Sequence, residues 1–171
     1  MDDKTLVAYG TKYGATAEIA EKIGDVLRHS GLTVDVMPVS RVGDLAPYGS
    51  VVLGSALYIG KWRKDAAQFL RDNAGALAQK PVWIFSSGPT EDGDPVELLK
   101  GERVPKTLQE VVDSIQPQDT AVFGGYNNAE KMSGLDKWMI KKVGHSMGDF
   151  RNWDAITAWA SSVAGQIRPA V

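Results

Sequence analysis

Short apolar runs alternate along the chain with longer stretches in which apolar residues recur every three or four positions. The first run is Leu6-Val7-Ala8-Tyr9, and residues 10–16 form its turn. Beyond it Ile19, Ala20, Ile23, Val26 and Leu27 keep helical spacing, with Gly31 as the stop signal. Residues 33–39 alternate and are β-branched, which predicts a second strand; Pro38 puts it at a sheet edge, because proline cannot donate to a central ladder. Residues 50–55 make a continuous apolar strand of the kind buried on both faces. A helix through Ala66, Phe69 and Leu70 follows, then a strand over residues 81–85 ending at Ser86-Ser87-Gly88. Residues 104–115 read as helix, 120–124 as a fifth strand, and 135–147 and 153–167 as two further helices.

Strands separated by helices need crossover connections, which make the sheet mostly parallel. Right-handed crossovers place helices on both faces, giving an α/β domain of three layers. Five strands fit the order 2-1-3-4-5, although pattern alone does not separate it from neighbouring orders. No repeat, low-complexity tract or long linker divides residues 1–171, so one domain is expected. Ligands of such sheets bind beyond the carboxyl ends of the strands, where the order reverses.

Composition narrows the chemistry. A formal net charge of −2 argues against general nucleic-acid binding. Cysteine is absent, which removes disulfides, thiolate nucleophiles, Fe–S clusters and Cys-based zinc sites together. His29 and His145 lie too far apart in sequence to suggest a metal site, and none is expected. The opening residues lack the basic and apolar regions of a signal peptide, and no run approaches the ~18 apolar residues of a spanning helix. The expectation is a cytoplasmic protein.

The turn Gly10-Thr11-Lys12-Tyr13-Gly14-Ala15-Thr16 opens directly into a helix. A helix start offers unpaired N–H groups and a positive dipole end, which suits a phosphate. Gly14 permits close approach of the backbone, and Thr11 and Thr16 add hydroxyl donors. Neither the GxGxxG nor the GxxxxGK[ST] spacing is present. The plainer role of these residues is a tight β–α turn with threonine as helix cap. Residues 9–16 with Ala17-Glu18-Ile19-Ala20 resemble the FMN-phosphate signature that opens flavodoxins. The resemblance implies a flavodoxin-like three-layer sandwich in which Thr11, Lys12, Tyr13, Gly14, Ala15 and Thr16 wrap the phosphate of FMN.

It also implies two further flavin loops. After the third strand, Ala56, Leu57, Tyr58, Ile59 and Gly60 lie where the ring would sit, with Tyr58 and Trp62 offering stacking surface or packing on a neighbouring helix. After the fourth come Ser87 and Gly88. Flavodoxins usually place an aromatic residue in that loop, yet none occurs between Ser86 and Leu99. One ring face is therefore open, or covered from elsewhere, for example by Tyr126. The acidic run Glu91, Asp92, Asp94, Glu97 and Glu102 reads first as a solvated loop and second as a docking face for a basic redox partner.

In the last third, Asp136-Lys137-Trp138-Met139-Ile140-Lys141-Lys142-Val143-Gly144 is similar to a segment of the flavodoxin-like, quinone-linked protoporphyrinogen dehydrogenases, as are Gly60-Lys61-Trp62 and residues 148–154. The stretch before Trp153 is short relative to that family, which leaves the substrate open. Leu135, Trp138, Met139, Val143 and Met147 form an apolar stripe beside Lys137, Lys141 and Lys142. Such a helix usually packs on a core; its lysines also suit peripheral contact with a membrane. Trp153 and Asp154 suit the start of the last helix, as staple and first-turn acid. The resemblance implies an FMN-dependent oxidoreductase acting on a flat substrate or quinone, or an electron carrier between redox proteins. In either case the flavin carries the chemistry and no catalytic side chain is expected.

Overall fold

In the computed structural model, which describes residues 4–144 and 146–167, the apolar runs become β1 (Lys4–Gly10), β2 (Thr33–Pro38), β3 (Tyr48–Tyr58), β4 (Lys61–Trp62), β5 (Val82–Ser87), β6 (Asp119–Phe123), β7 (Tyr126–Asn127) and β8 (Gly148–Asp149). The helices are α1 (Ala15–His29), α2 (Lys64–Asp72), α3 (Ala74–Leu77), α4 (Pro95–Leu98), α5 (Lys106–Ile115), α6 (Gly134–Lys142) and α7 (Trp153–Ile167). The main sheet runs β2-β1-β3-β5-β6, all parallel. This is the expected 2-1-3-4-5 order once the two-residue β4, which only turns back antiparallel on the end of β3, is set aside. β2, with Pro38, is the edge strand as expected.

Alternation along the strands divides the core into two layers. Leu6, Ala8, Val51, Leu53, Val82 and Ile84 meet Leu70, Leu108, Val112 and Ile115 of α2 and α5. Val7, Val52, Trp83, Phe85 and Phe123 meet Ile19, Ile23, Leu27, Ile156, Ala160 and Val163 of α1 and α7. Burial on both faces is why the central residues 6–8, 51–53 and 82–85 of these strands are apolar at consecutive positions. Trp159 of α7 packs edge-on to Phe85 and Phe123 with centroids 6.2 and 5.7 Å away.

The larger departures from the expected boundaries have local reasons. β3 runs on to Tyr58 because it gains β4 as a partner beyond the parallel sheet. α5 starts at Lys106 because Pro105 precedes it as cap. The helix expected over residues 135–147 stops at Lys142: Gly144 adopts φ 82°, and Gly148–Asp149 pairs with Tyr126–Asn127. His145 lies outside the described residues.

Candidate functional site

Four loops at the carboxyl ends of β1, β3, β5 and β6 converge on one cleft beside the point where strand order reverses. The first contributes Thr11, Lys12, Tyr13, Ala15 and Thr16, the second Ala56, Leu57 and Tyr58, and the third Ser87 and Gly88. Ile59 and Gly60 line the adjoining apolar cavity with Leu57, Pro89, Leu99 and Ile140. Gly14 sits in the turn between Tyr13 and Ala15 with φ 94°. Thr90, Gly125, Tyr126 and Asn127 also line the cleft. Of these only Tyr126 is expected from the sequence. A broader groove lies between α1 and Trp153, but it is open and its charges, Glu18, Glu21, Asp25 and Lys22, are mostly acidic.

The cap of α1 is Gly14 rather than a threonine. Gly14 has φ 94° and no side chain caps the helix, while Thr11 Oγ1 accepts from Gly14 N at 3.0 Å. The first helical bond runs from Glu18 N to Gly14 O (3.2 Å), so the amides of residues 15–17 precede the hydrogen-bonded ladder. Thr16 is 1% exposed in the first turn. A left-handed glycine, a threonine at each end and a row of ladder-free amides form a donor set suited to a phosphate.

The loop after β3 is a tight two-residue hairpin. Ile59 (φ 50°) and Gly60 (φ 74°) are both left-handed, as a type I′ turn requires. A β-branched residue there is strained, so the surroundings must hold Ile59 in place. Opposite, a Cβ on Gly88 would lie 2.4 Å from Leu57 Cβ, and one on Gly125 would lie 3.1 Å from the Gly88 backbone. The two loops therefore approach as closely as they do only because glycines stand there. Trp62, offered as a stacking surface, is instead buried in the α2/α5 core, where its Nε1 donates to Ser86 Oγ at 2.9 Å. Tyr58 keeps its place in the cleft. The loop after β5 carries no aromatic residue, and Tyr126 enters from the next loop.

Asp136 was not singled out from the sequence for this site. It is 8% exposed, and its carboxylate accepts from the Tyr13 hydroxyl, from the Tyr58 hydroxyl at 2.5 Å and from Lys12 Nζ at 2.8 Å. Lys12 Nζ also lies 4.0 Å from the Tyr58 ring centroid. Lys12 thus faces α6 and the loop after β3 rather than the amides of α1. Ser133 caps α6 by accepting from Asp136 N at 3.1 Å. The Ser-x-x-Asp spacing was a legible cap signal, but it does not reveal what the carboxylate meets.

Arg151 is a second residue the sequence left without a role. Its guanidinium lies 4.9 Å from the Tyr126 ring and 4.8 Å from that of Trp153. It donates to both Asp149 oxygens (2.9 and 2.8 Å), to Glu18 (3.1 Å) and to Ala15 O (3.3 Å). Those bonds hold Asp149 below its usual carboxyl range and push Arg151 above its own, against the opposing effect of burial on each. Through Arg151 the segment between β8 and α7 is tied to the first turn of α1. Trp153 is the first residue of α7 and stacks on Arg151, so it is not a staple ahead of the helix. The acidic run is exposed at Glu91, Asp92, Asp94, Glu97 and Glu102, with Asp94 capping α4.

A flavodoxin-domain family model matches residues 6–154. The protoporphyrinogen IX dehydrogenase [quinone] of Escherichia coli (strain K12) is 23% identical, over 94% of each chain. An NAD(P)H dehydrogenase (quinone) of Nitrobacter winogradskyi is 31% identical, over 53% of this chain and 59% of its own. Among solved structures, a Streptococcus pneumonia TIGR4 flavodoxin superposes with a TM-score of 0.61 at 18% identity, over 95% of this chain and 99% of that one.

Proposed function

The chain belongs to the flavodoxin-domain family, and from that premise we propose that it binds FMN non-covalently and is an oxidoreductase for a small ring-bearing substrate of the quinone or porphyrinogen class. The observation that carries the flavin assignment is the donor set at α1: left-handed Gly14, the two flanking threonines and the amides of residues 15–17. Bound there, FMN supplies an acceptor and donor of one or two electrons. Thr11, Thr16 and the backbone of residues 12–16 hold the phosphate. Ala56, Leu57, Tyr58, Ile59 and Gly60 border the ring on one side, and Ser87 and Gly88 on the other. Tyr58 is fixed in orientation by Asp136, so its ring is a prepared surface and not a mobile one.

The choice of a small-molecule reaction rests on the rim between Tyr58 and the β5 loop. The β5 loop presents Ser87, Gly88 and Pro89 without an aromatic lid, and the apolar cavity lined by Leu57, Ile59, Pro89, Leu99 and Ile140 adjoins the cleft there. A planar apolar substrate would lie in that space, and water would be excluded from it by Ile59 and Ile140. The quinone-linked relatives support the same class. The purified protein is expected to be yellow and to release FMN on denaturation; a colourless protein that takes up no added FMN overturns the reading. Oxidation or reduction of the bound flavin by quinone analogues, porphyrinogen or reduced nicotinamides, followed by absorbance, tests the reaction class. Reaction only with a redox protein would make the chain a carrier.

A further inference from the structure

Leu135, Trp138 and Val143 of the apolar stripe face away from the core, while Met139 is half-buried. Leu135 is 66% exposed, Trp138 57% and Val143, just past the helix, 47%; the side chains turned inward are Asp136 and Ile140. Lys141 and Lys142 are exposed with them, and Lys142 Nζ lies 4.7 Å from the Trp138 ring centroid. A chain of net charge −2 thus concentrates cations on one small apolar patch. The only acid on α6 is Asp136, which is turned inward and neutralised by Lys12. Its outer face carries no negative charge.

We propose that this face of α6 docks on the surface of an anionic phospholipid bilayer. Leu135, Trp138 and Val143 enter the headgroup boundary, where tryptophan is favoured. Lys137, Lys141 and Lys142 extend past them to the lipid phosphates, their stems lying along apolar surface. No helix among the described residues is long and apolar enough to cross a bilayer, so the contact is with its surface. Adjacent cation and tryptophan without any outward acid match lipid phosphate better than a protein surface, where acids and bases are usually interspersed.

The inner side of the same helix explains what docking serves, and this part rests on the flavin reading. Ile140 lines the apolar cavity beside Ile59 and Leu99, and Asp136 binds Tyr13 and Tyr58. A bilayer against α6 places the mouth of the cleft at the lipid boundary, where an apolar substrate is concentrated.

The test is co-sedimentation of the full chain, as purified, with vesicles of phosphatidylcholine alone and vesicles enriched in phosphatidylglycerol. Binding is expected only to the anionic vesicles and should weaken as salt screens the lysines. The double change Lys141→Glu/Lys142→Glu, and separately Leu135→Ser/Trp138→Ala, should each reduce it by roughly tenfold or more. All four positions are exposed, so folding is expected to survive, and circular dichroism verifies that. Equal binding by wild type and variants, or no binding to anionic vesicles, overturns the proposal. So does a wild-type dimer that Leu135→Ser/Trp138→Ala converts to monomer, which would make the face a contact between two copies. The flavin absorbance of each sample separates the two readings: lost vesicle binding with flavin retained refutes only the docking, and vesicle binding by a protein that takes up no FMN refutes only the cofactor.

Discussion

Replacing Asp136 tests whether α6 is clamped to the loops after β1 and β3. In Asp136→Ala, the hydroxyls of Tyr13 and Tyr58 and the ammonium of Lys12 lose a shared charged acceptor. Hydrogen bonds to charged groups contribute ~1.5–3 kcal/mol each when buried. The Lys12 and Asp136 side chains are 28% and 11% exposed, so water recovers part of that loss. The pair lies between exposed ion pairs, worth ~0–1 kcal/mol, and buried ones, whose breaking costs ~3–5 kcal/mol. Weighing these, we expect a destabilisation of about 2–3 kcal/mol, or a fall in Tm of roughly 4–12 °C for a chain of this length. Asp136→Asn keeps one acceptor oxygen of two and should lose about half as much. Urea unfolding of the flavin-free protein, followed by circular dichroism, measures both, since bound ligand would mask the difference. Combined with Lys12→Met, Asp136→Asn should show a coupling of about 1 kcal/mol. A loss below ~0.5 kcal/mol for Asp136→Ala, or strict additivity with Lys12→Met, would refute the clamp.

Thr16→Ala is expected to weaken FMN binding by roughly 1–3 kcal/mol, read by fluorescence titration; unchanged affinity removes its hydroxyl from the phosphate site. At Gly54 an added Cβ would lie 2.1–2.4 Å from the Phe85 ring, which is fully buried, so Gly54→Ala should destabilise by about 1–3 kcal/mol or more in urea. Tyr48 is buried and donates to Asp35 at 2.7 Å; burial, then that bond, pushes its phenol up to about 12. A raised folded value contributes stability that is complete below the ordinary phenol pKa and lost as pH rises through about 12. Stability should therefore fall between about pH 10 and 12, by at most ~2–3 kcal/mol from this group, and Tyr48→Phe should flatten that limb of a pH–stability profile.

The parts of the site that were legible in advance are contiguous in sequence. Residues 11–16 combine strand end, glycine and helix start within one short segment, and local rules suffice for such a segment. Ala56 to Gly60 and Ser87-Gly88 were found the same way, from the ends of apolar strands. Trp62 was ambiguous because an aromatic residue two positions past a loop can face either the ligand or the core; pairing of Trp62 with Leu57 turns it inward. Asp136 stands 123 residues from Tyr13 and 78 from Tyr58, a separation that no window of local pattern spans. Arg151 is 136 residues from its acceptor Ala15 O, and its role has the same origin.

The alternation of apolar runs and helical stretches determined the layers, the parallel sheet and the turn that opens α1, because burial on two faces and helix polarity act over a few residues at a time. The direction in which α6 faces was settled only by the tertiary structure. Its sequence defines an apolar stripe and a basic one, but the periodicity is blind to what lies beside the helix. The carboxylate of Asp136 finds Lys12 and two phenols, the most favourable place for the one acid on the helix, and that bond turns Leu135 and Trp138 outward. Buried charge must be paired, whereas an exposed apolar side chain forgoes only the modest gain of burial, so the polar contact fixed the orientation.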